Sequence, residues 1–307
     1  MIDASQVGEA GQVSQEKVSA LLRPASIAVL GASERTGVGQ RVAANLRAMN
    51  FAGELLLINP HRTQVGGFPA HPSLESLPIV PDLVVAAVNR EATVRGIAAA
   101  AELGCRAAIV LAAGFAELGE RGRELDSELR KAARGMSLMG PNCLGFVNLV
   151  DGVAAYSGPL MEPPVPGQVA LVSQSGALAC AFTGAAAERG IRFSHVITTG
   201  NQLGLQLADY MHYLTRQPDV RVIACYVEGF RDGRGLLSAM QEAAEAGKTV
   251  IVLKSGRSRI GGAAARTHTG SLAGSASFKK TSMLDFVSVL SSLRNAEALK
   301  PASRMSP

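Results

Sequence analysis

Short apolar runs alternate with Ala-rich amphipathic stretches along most of the chain. From Ser26 the runs are SIAVLG, LLLIN, DLVVAAV, AAIVLAA and SLMGPN, and between them lie VAANLRAM, IAAAAEL and RELDSELRKAA. Continuous aliphatic runs of this length fit strands buried on both faces, as in a parallel sheet covered by helices. The pattern predicts a doubly wound α/β domain over residues 21–150, preceded by an N-terminal tail at 1–20. The alternation breaks over 151–167, where Pro159, Pro163, Pro164 and Pro166 prevent any regular element and mark a junction. It resumes with VALVSQSG, a helix from Ala177, FSHVITTG, LADYMHYL, VRVIACYVEG, LLSAMQEAAEAG and TVIVLKSG, which predicts a second α/β sheet over 168–275. Residues 276–307 carry one more helix-like segment, FKKTSMLDFVSVLSSL, with no strand after it, and read as an atypical or truncated C-terminal segment.

Composition agrees with two folded domains. The 307 residues are 47% apolar with a mean hydropathy of +0.19, ample for buried cores. Much of the +5 formal charge sits at the C-terminal end, in Lys279, Lys280, Arg294, Lys300 and Arg304 against Asp285 and Glu297, so the body is nearly neutral. With no Trp and 4% aromatics, a nucleic-acid surface has little support. Cys105, Cys143, Cys180 and Cys225 are far apart with no CxxC spacing, which suggests neither a metal site nor a disulfide framework and fits a reducing cytoplasm. No secretory leader is evident and no window of 18 apolar residues occurs, so a soluble chain is expected.

The chemistry-bearing residues cluster at predicted strand ends. GASERTGVG, with Gly31, Gly37 and Gly39, runs from the first strand into a helix, a place where backbone N–H groups and the helix dipole favour a phosphate. Its spacing is not G-x-G-x-x-G, so the NAD fingerprint is not met. The second strand ends in INPHR, placing His61 and Arg62 where an NAD site needs an acid. A cation there suits a phosphorylated ribose, as in NADP or coenzyme A, with a solvated Arg as the plain alternative. SLMGPNCLG brings Asn142 and Cys143 to the same edge; Cys143 has no activating partner nearby in sequence and reads as a packing residue. VSQSGALA puts Ser173, Ser175 and Gly176 at a helix start, an anion seat rather than the G-x-S-x-G elbow of hydrolases. TTGNQ (Gly200, Asn201) and YVEG (Glu228) end later strands. RTHTGSLAGS sets His268 among small and hydroxylated residues, a loop composition rather than a core one.

In that order, GASERTGVG, INPHR, GPNCLG, VSQSGALA, TTGNQ, YVEG and LKSGRSRIGGAAARTHTGSLAG resemble the NDP-forming acyl-CoA synthetases, a family similar to the α subunit of succinyl-CoA synthetase. The resemblance spans about residues 20 to 275. It implies a CoA-binding Rossmann-type domain followed by a flavodoxin-like ligase domain. It further implies that His268 carries a phosphoryl group and that Glu228 orients it. Ser173, Ser175, Gly176, Gly200 and Asn201 would seat the phosphate, and Gly31, Ala32, Ser33, Gly37, Gly39, Pro60, Arg62, Asn142 and Cys143 would hold coenzyme A. ATP or ADP with Mg2+ would bind an ATP-grasp partner on a separate chain in a hetero-oligomer, and the substrate would be a small carboxylic acid. Thr267 stands in place of the family's usual serine, and two departures matter more: no ATP-grasp domain is recognised in the sequence, and the stretch after LAGS leaves the family pattern. A non-catalytic CoA-binding protein is therefore the alternative reading, and an NADP-dependent oxidoreductase a weaker one.

Overall fold

A computed structural model describes residues 4–34 and 37–255, with side chains from Val13 onward. Among the described residues seven strands form the first sheet and five the second. In the first, β1 (Ser26–Leu30) lies between β2 (Glu54–Ile58) and β5 (Leu83–Ala86), parallel to both. Beyond β5 come β6 (Ala107–Val110) and β7 (Ser137–Met139), and beyond β2 a hairpin of β3 (Gln64–Val65) and β4 (Phe68–His71). Helices α2 (Val38–Ala48), α3 (Arg90–Glu102) and α4 (Glu120–Ala132) connect these strands. Ile27, Ala28 and Val29 are fully buried, as a central strand with covered faces requires.

The second sheet runs β12-β11-β9-β10-β8, from β8 (Gly145–Asn148), β9 (Val169–Ser173), β10 (Phe193–Thr198), β11 (Val222–Val227) and β12 (Thr249–Lys254). Helices α5 (Gly176–Ala187), α6 (Leu207–Thr215) and α7 (Gly233–Glu245) complete the alternation. Both sheets are thus parallel-dominant α/β sheets, as the pattern predicts.

The boundaries differ from the sequence reading in two places. The stretch expected as an N-terminal tail is instead α1 (Ala4–Leu22), whose Val18, Leu21 and Leu22 are fully buried at helical spacing. Ser14 Oγ donates to Asp209 Oδ1 at 2.6 Å, tying α1 to the start of α6. Strand β8, assigned to the first domain, pairs antiparallel with β10 and so belongs to the second sheet. An apolar run such as GFVN does not reveal its partner, because pairing is chosen by distant backbone. Within the Pro-rich junction, Val153 and Tyr156 form single bridges to Asn148 and Gly145, and only the part after Tyr156 lacks strand partners. One apolar cluster joins Ile27 and Ile109 of the first sheet to Val172 and Ile223 of the second, so the two domains share a core.

Candidate functional site at the two sheet edges

Each sheet has a point where the connections turn in opposite directions, and ligands of open α/β sheets bind in the crevice such a point creates at the carboxyl ends of the strands. In the first sheet it lies between β1 and β5. There Gly31, at φ +90°, leaves no room for a side chain: a Cβ would sit 2.6 Å from Val88 Cγ1 and 2.7 Å from the Ala87 carbonyl. Gly39 packs the first turn of α2 onto the loop, where a Cβ would meet the Gly31 carbonyl at 2.3 Å. Gly37 is the N-cap of α2 and supplies no capping side chain, so first-turn N–H groups stay available to an anion. That arrangement fits the phosphates of a nucleotide such as coenzyme A.

Ala32 is buried in this loop, and the Gly31 and Ala32 N–H groups both bond the Ile58 carbonyl. Asn59 donates to the Ala32 carbonyl at 2.8 Å and accepts from the His61 N–H, which links the ends of β1 and β2; nothing local in the sequence marks this role. Ser33 stands partly exposed in the loop and Pro60 exposed beyond β2. Arg62 is also exposed, and it pairs with Glu34 at 2.9 Å. An exposed pair of this kind contributes about 0–1 kcal/mol, so an arriving phosphate can displace the carboxylate at little cost.

In the second sheet the switch point lies between β9 and β11, where Ser173 to Gly176 and Glu228 meet. Of the two hydroxyls expected to receive phosphate, only that of Ser173 has its proton committed. Ser173 Oγ donates to the Ser175 carbonyl at 2.7 Å and accepts from its N–H at 3.1 Å, while Ser175 Oγ caps α5 through the Leu178 N–H. An anion arriving here would meet the Ser175 hydroxyl, whose proton the cap leaves uncommitted, and the first-turn N–H groups of Gly176 and Ala177.

Glu228 is buried beside this turn. Gln174, unremarked within the SQSG motif, holds it in place: Gln174 Oε1 accepts from the N–H groups of Glu228 at 2.6 Å and Gly229 at 2.9 Å, and Nε2 donates to the Gly229 carbonyl at 2.8 Å. Lys254, buried at the end of β12, donates to the Glu228 carbonyl at 2.8 Å. No sequence signal separates either residue from an ordinary polar neighbour. A small cleft of about 10 Å³ lined by Gln174, Gln202, Gly229 and Arg231 opens next to them. His268 lies outside the described residues, as do residues 276–307.

The two edges meet. Gly200, at φ +56°, fits so tightly under the GPN turn that a Cβ would stand 2.2 Å from the Pro141 carbonyl. The Asn201 N–H bonds the same carbonyl at 2.8 Å. Asn142 Nδ2 donates to Asn201 Oδ1 at 3.3 Å, and Asn201 Nδ2 donates to Glu117 Oε2 at 2.7 Å. Gly176 backs onto Leu144, whose Cγ would lie 2.6 Å from an added Cβ. Cys143 is a packing residue, as its sequence context predicts, and its side chain faces away from the crevice in which the resemblance would place it: it is buried, its thiol bonds the Val110 carbonyl, and burial pushes its pKa up to about 12. A thiol held protonated in this way is disabled as a nucleophile.

A doubly wound, Rossmann-type sheet joined at its carboxyl edge to a flavodoxin-like sheet defines the fold class. Residues 25–148 match the family model of a CoA binding domain, and residues 166–285 that of the succinyl-CoA ligase like flavodoxin domain. Over 276 residues, 88% of this chain, the sequence is 36% identical to a trans-feruloyl-CoA synthase of an unknown prokaryotic organism. It is 35% identical over 269 residues, 85% of this chain, to the α subunit of ADP-forming acetate–CoA ligase II of Pyrococcus furiosus. The solved dinucleotide-forming acetyl-coenzyme A synthetase 1 of Ca. Korarchaeum cryptofilum, in complex with phosphate and ADP, superimposes with a TM-score of 0.76 at 31% identity, covering 90% of this chain and 57% of that one. The chain belongs to the ADP-forming acyl-CoA synthetase family and corresponds to its CoA-binding, α-subunit-like part. It spans 39% of the length of the feruloyl-CoA synthase and 58% of the Pyrococcus subunit. No helix among the described residues is long and apolar enough to cross a membrane.

Proposed function

We propose that the chain is the CoA-binding and phosphohistidine-bearing part of a cytoplasmic acid–thiol ligase, catalysing acyl-CoA + phosphate + ADP ⇌ acid + CoA + ATP together with an ATP-grasp partner. The observation that best supports this reading is the clasp of Gly200 and Asn201 on the GPN turn, which joins the carboxyl edges of the two sheets. A phosphate oxygen attacks the thioester carbonyl, breaking the C–S bond and releasing CoA as the thiol, with an acyl phosphate as the other product. A neutral His268 nitrogen then attacks phosphorus, the P–O bond to the acyl group breaks, and the acid leaves as carboxylate. The N–H groups at the start of α5 hold the phosphoryl oxygens, and Glu228 orients the imidazole and offsets its developing charge. The phosphoryl group passes to ADP, with its Mg2+, on the partner. The Gly, Ala, Thr and Ser residues around His268 suit a carrier segment that must travel.

The test is incubation of the full chain with acetyl-CoA or feruloyl-CoA and labelled phosphate. An acid-labile, base-stable label that disappears in His268→Ala supports the assignment. A folded, CoA-binding wild type that never labels refutes it, and label retained by His268→Ala puts the carrier elsewhere.

A further inference from the structure

Glu117 lies in the 3-10 turn Ala116–Leu118 of the first domain, yet one of its oxygens reaches the second. Oε1 accepts from the Gly114 N–H at 2.7 Å, and Oε2 accepts from Asn201 Nδ2, also at 2.7 Å. An ionised carboxylate has acceptors only, so Asn201 meets it with its NH2 group and must turn Oδ1 the other way. Oδ1 in turn accepts from Asn142 Nδ2. The relay ends at Asn142 Oδ1, an acceptor that carries no hydrogen bond among the described residues. The backbones leave the relay little freedom: the Asn142 N–H bonds the Ala112 carbonyl at 2.9 Å, and Asn201, 3% exposed, is held by the Pro141 carbonyl.

We propose that Glu117 is a positioning residue that sets the hydrogen-bond polarity of the cleft, so that Asn142 presents an acceptor to an N–H or S–H donor on the pantetheine arm of coenzyme A. The inference rests on the CoA-binding reading above. It adds a residue that touches no ligand and acts through two amides. Without the carboxylate, both amides are free to reverse, and Asn142 then offers a donor as readily as an acceptor.

The experiment is titration calorimetry on the full chain with two probes: coenzyme A, and adenosine 3′,5′-bisphosphate, which has the nucleotide end and no pantetheine. Glu117→Gln is expected to weaken coenzyme A roughly ten-fold and leave adenosine 3′,5′-bisphosphate unchanged, which also shows that the first domain remains folded. The double variant Glu117→Gln with Asn201→Asp moves the acceptor-only group one step along the relay. The amide introduced at position 117 then donates to the new carboxylate and Asn142 does the same, so affinity for coenzyme A should return. Equal affinities in wild type and Glu117→Gln, or equal losses for both probes, would overturn the proposal, as would a double variant that binds coenzyme A no better than the single one. A wild type that binds neither probe would instead remove the CoA-binding reading on which the proposal stands.

Discussion

Replacing Gln174 with Leu tests how the ligase domain holds its carboxylate. The two side chains are similar in size and Gln174 is 6% exposed, so packing changes little while three hydrogen bonds vanish. Two N–H groups, of Glu228 and Gly229, and the Gly229 carbonyl lose their partner at the end of β11. Each buried polar group left unpaired costs about 1–3 kcal/mol. The turn can recover part of that by swinging toward water, which gives an expected loss of about 3 kcal/mol, a large fraction of the roughly 5–15 kcal/mol that holds a domain together. Urea denaturation followed by far-UV circular dichroism reads the loss directly, and phosphoryl labelling should slow because Glu228 is no longer held beside the start of α5. Gln174→Glu supplies a control with a sign. Its protonated carboxyl reproduces the amide's donor and acceptors, whereas the carboxylate turns an oxygen onto the Gly229 carbonyl. The folded-state pKa is therefore raised above the unfolded one. Stability is fully present below the unfolded pKa and is lost as pH rises through the folded value. A Gln174→Leu protein within about 1 kcal/mol of wild type would show that the triple contact does not hold this turn.

Three further outcomes follow from other parts of the molecule. His195 is 2% exposed with no partner on Nδ1 among the described residues, and burial pulls its pKa down to about 4. Because the folded value lies below the unfolded one, its contribution is full above about pH 6.5 and falls by about 3 kcal/mol as pH drops to 4; His195→Gln should flatten that slope, and an unchanged slope would assign it to other groups. Gly200→Ala places a Cβ against the Pro141 carbonyl at positive φ, so a loss of about 2–3 kcal/mol and weaker CoA binding are expected, and a melting temperature equal to wild type would contradict the tight clasp. Arg62→Ala should weaken coenzyme A more than dephospho-CoA, and Glu34→Gln, which frees Arg62, should strengthen it; calorimetry that finds equal changes for both ligands would remove Arg62 from the 3′-phosphate.

The strands and helices of both domains were legible because their cause is local. Runs such as SIAVL and VIACYV are too apolar to face water on either side, and the intervening stretches carry helical spacing. That the glycines, hydroxyls and Glu228 stand at strand ends was legible for the same reason. Helix α1 was not, because its N-terminal half is a weak mixture of Ala, Gly, Gln and Ser, and its apolar face has meaning only against the distant α6, β6 and β7. The partner of β8 was hidden too, since an isolated apolar run does not say which sheet will take it. The same limit governs the site. The two hydroxyls in SQSG look alike until Ser173 is seen committing its proton to its own turn, whereas Ser175 caps α5 as an acceptor and keeps its proton. Gln174, Lys254 and Glu117 look like ordinary polar residues until the chain brings Glu228, 54 and 26 positions away from the first two, and Asn201, 84 positions from the third, within reach. Residue type and local pattern determined which elements form and which groups stand at their ends. Which hydrogen-bonding groups remain free for a ligand was decided by the tertiary structure alone, because burial requires each polar atom to find a partner and the partner comes from wherever the fold places it.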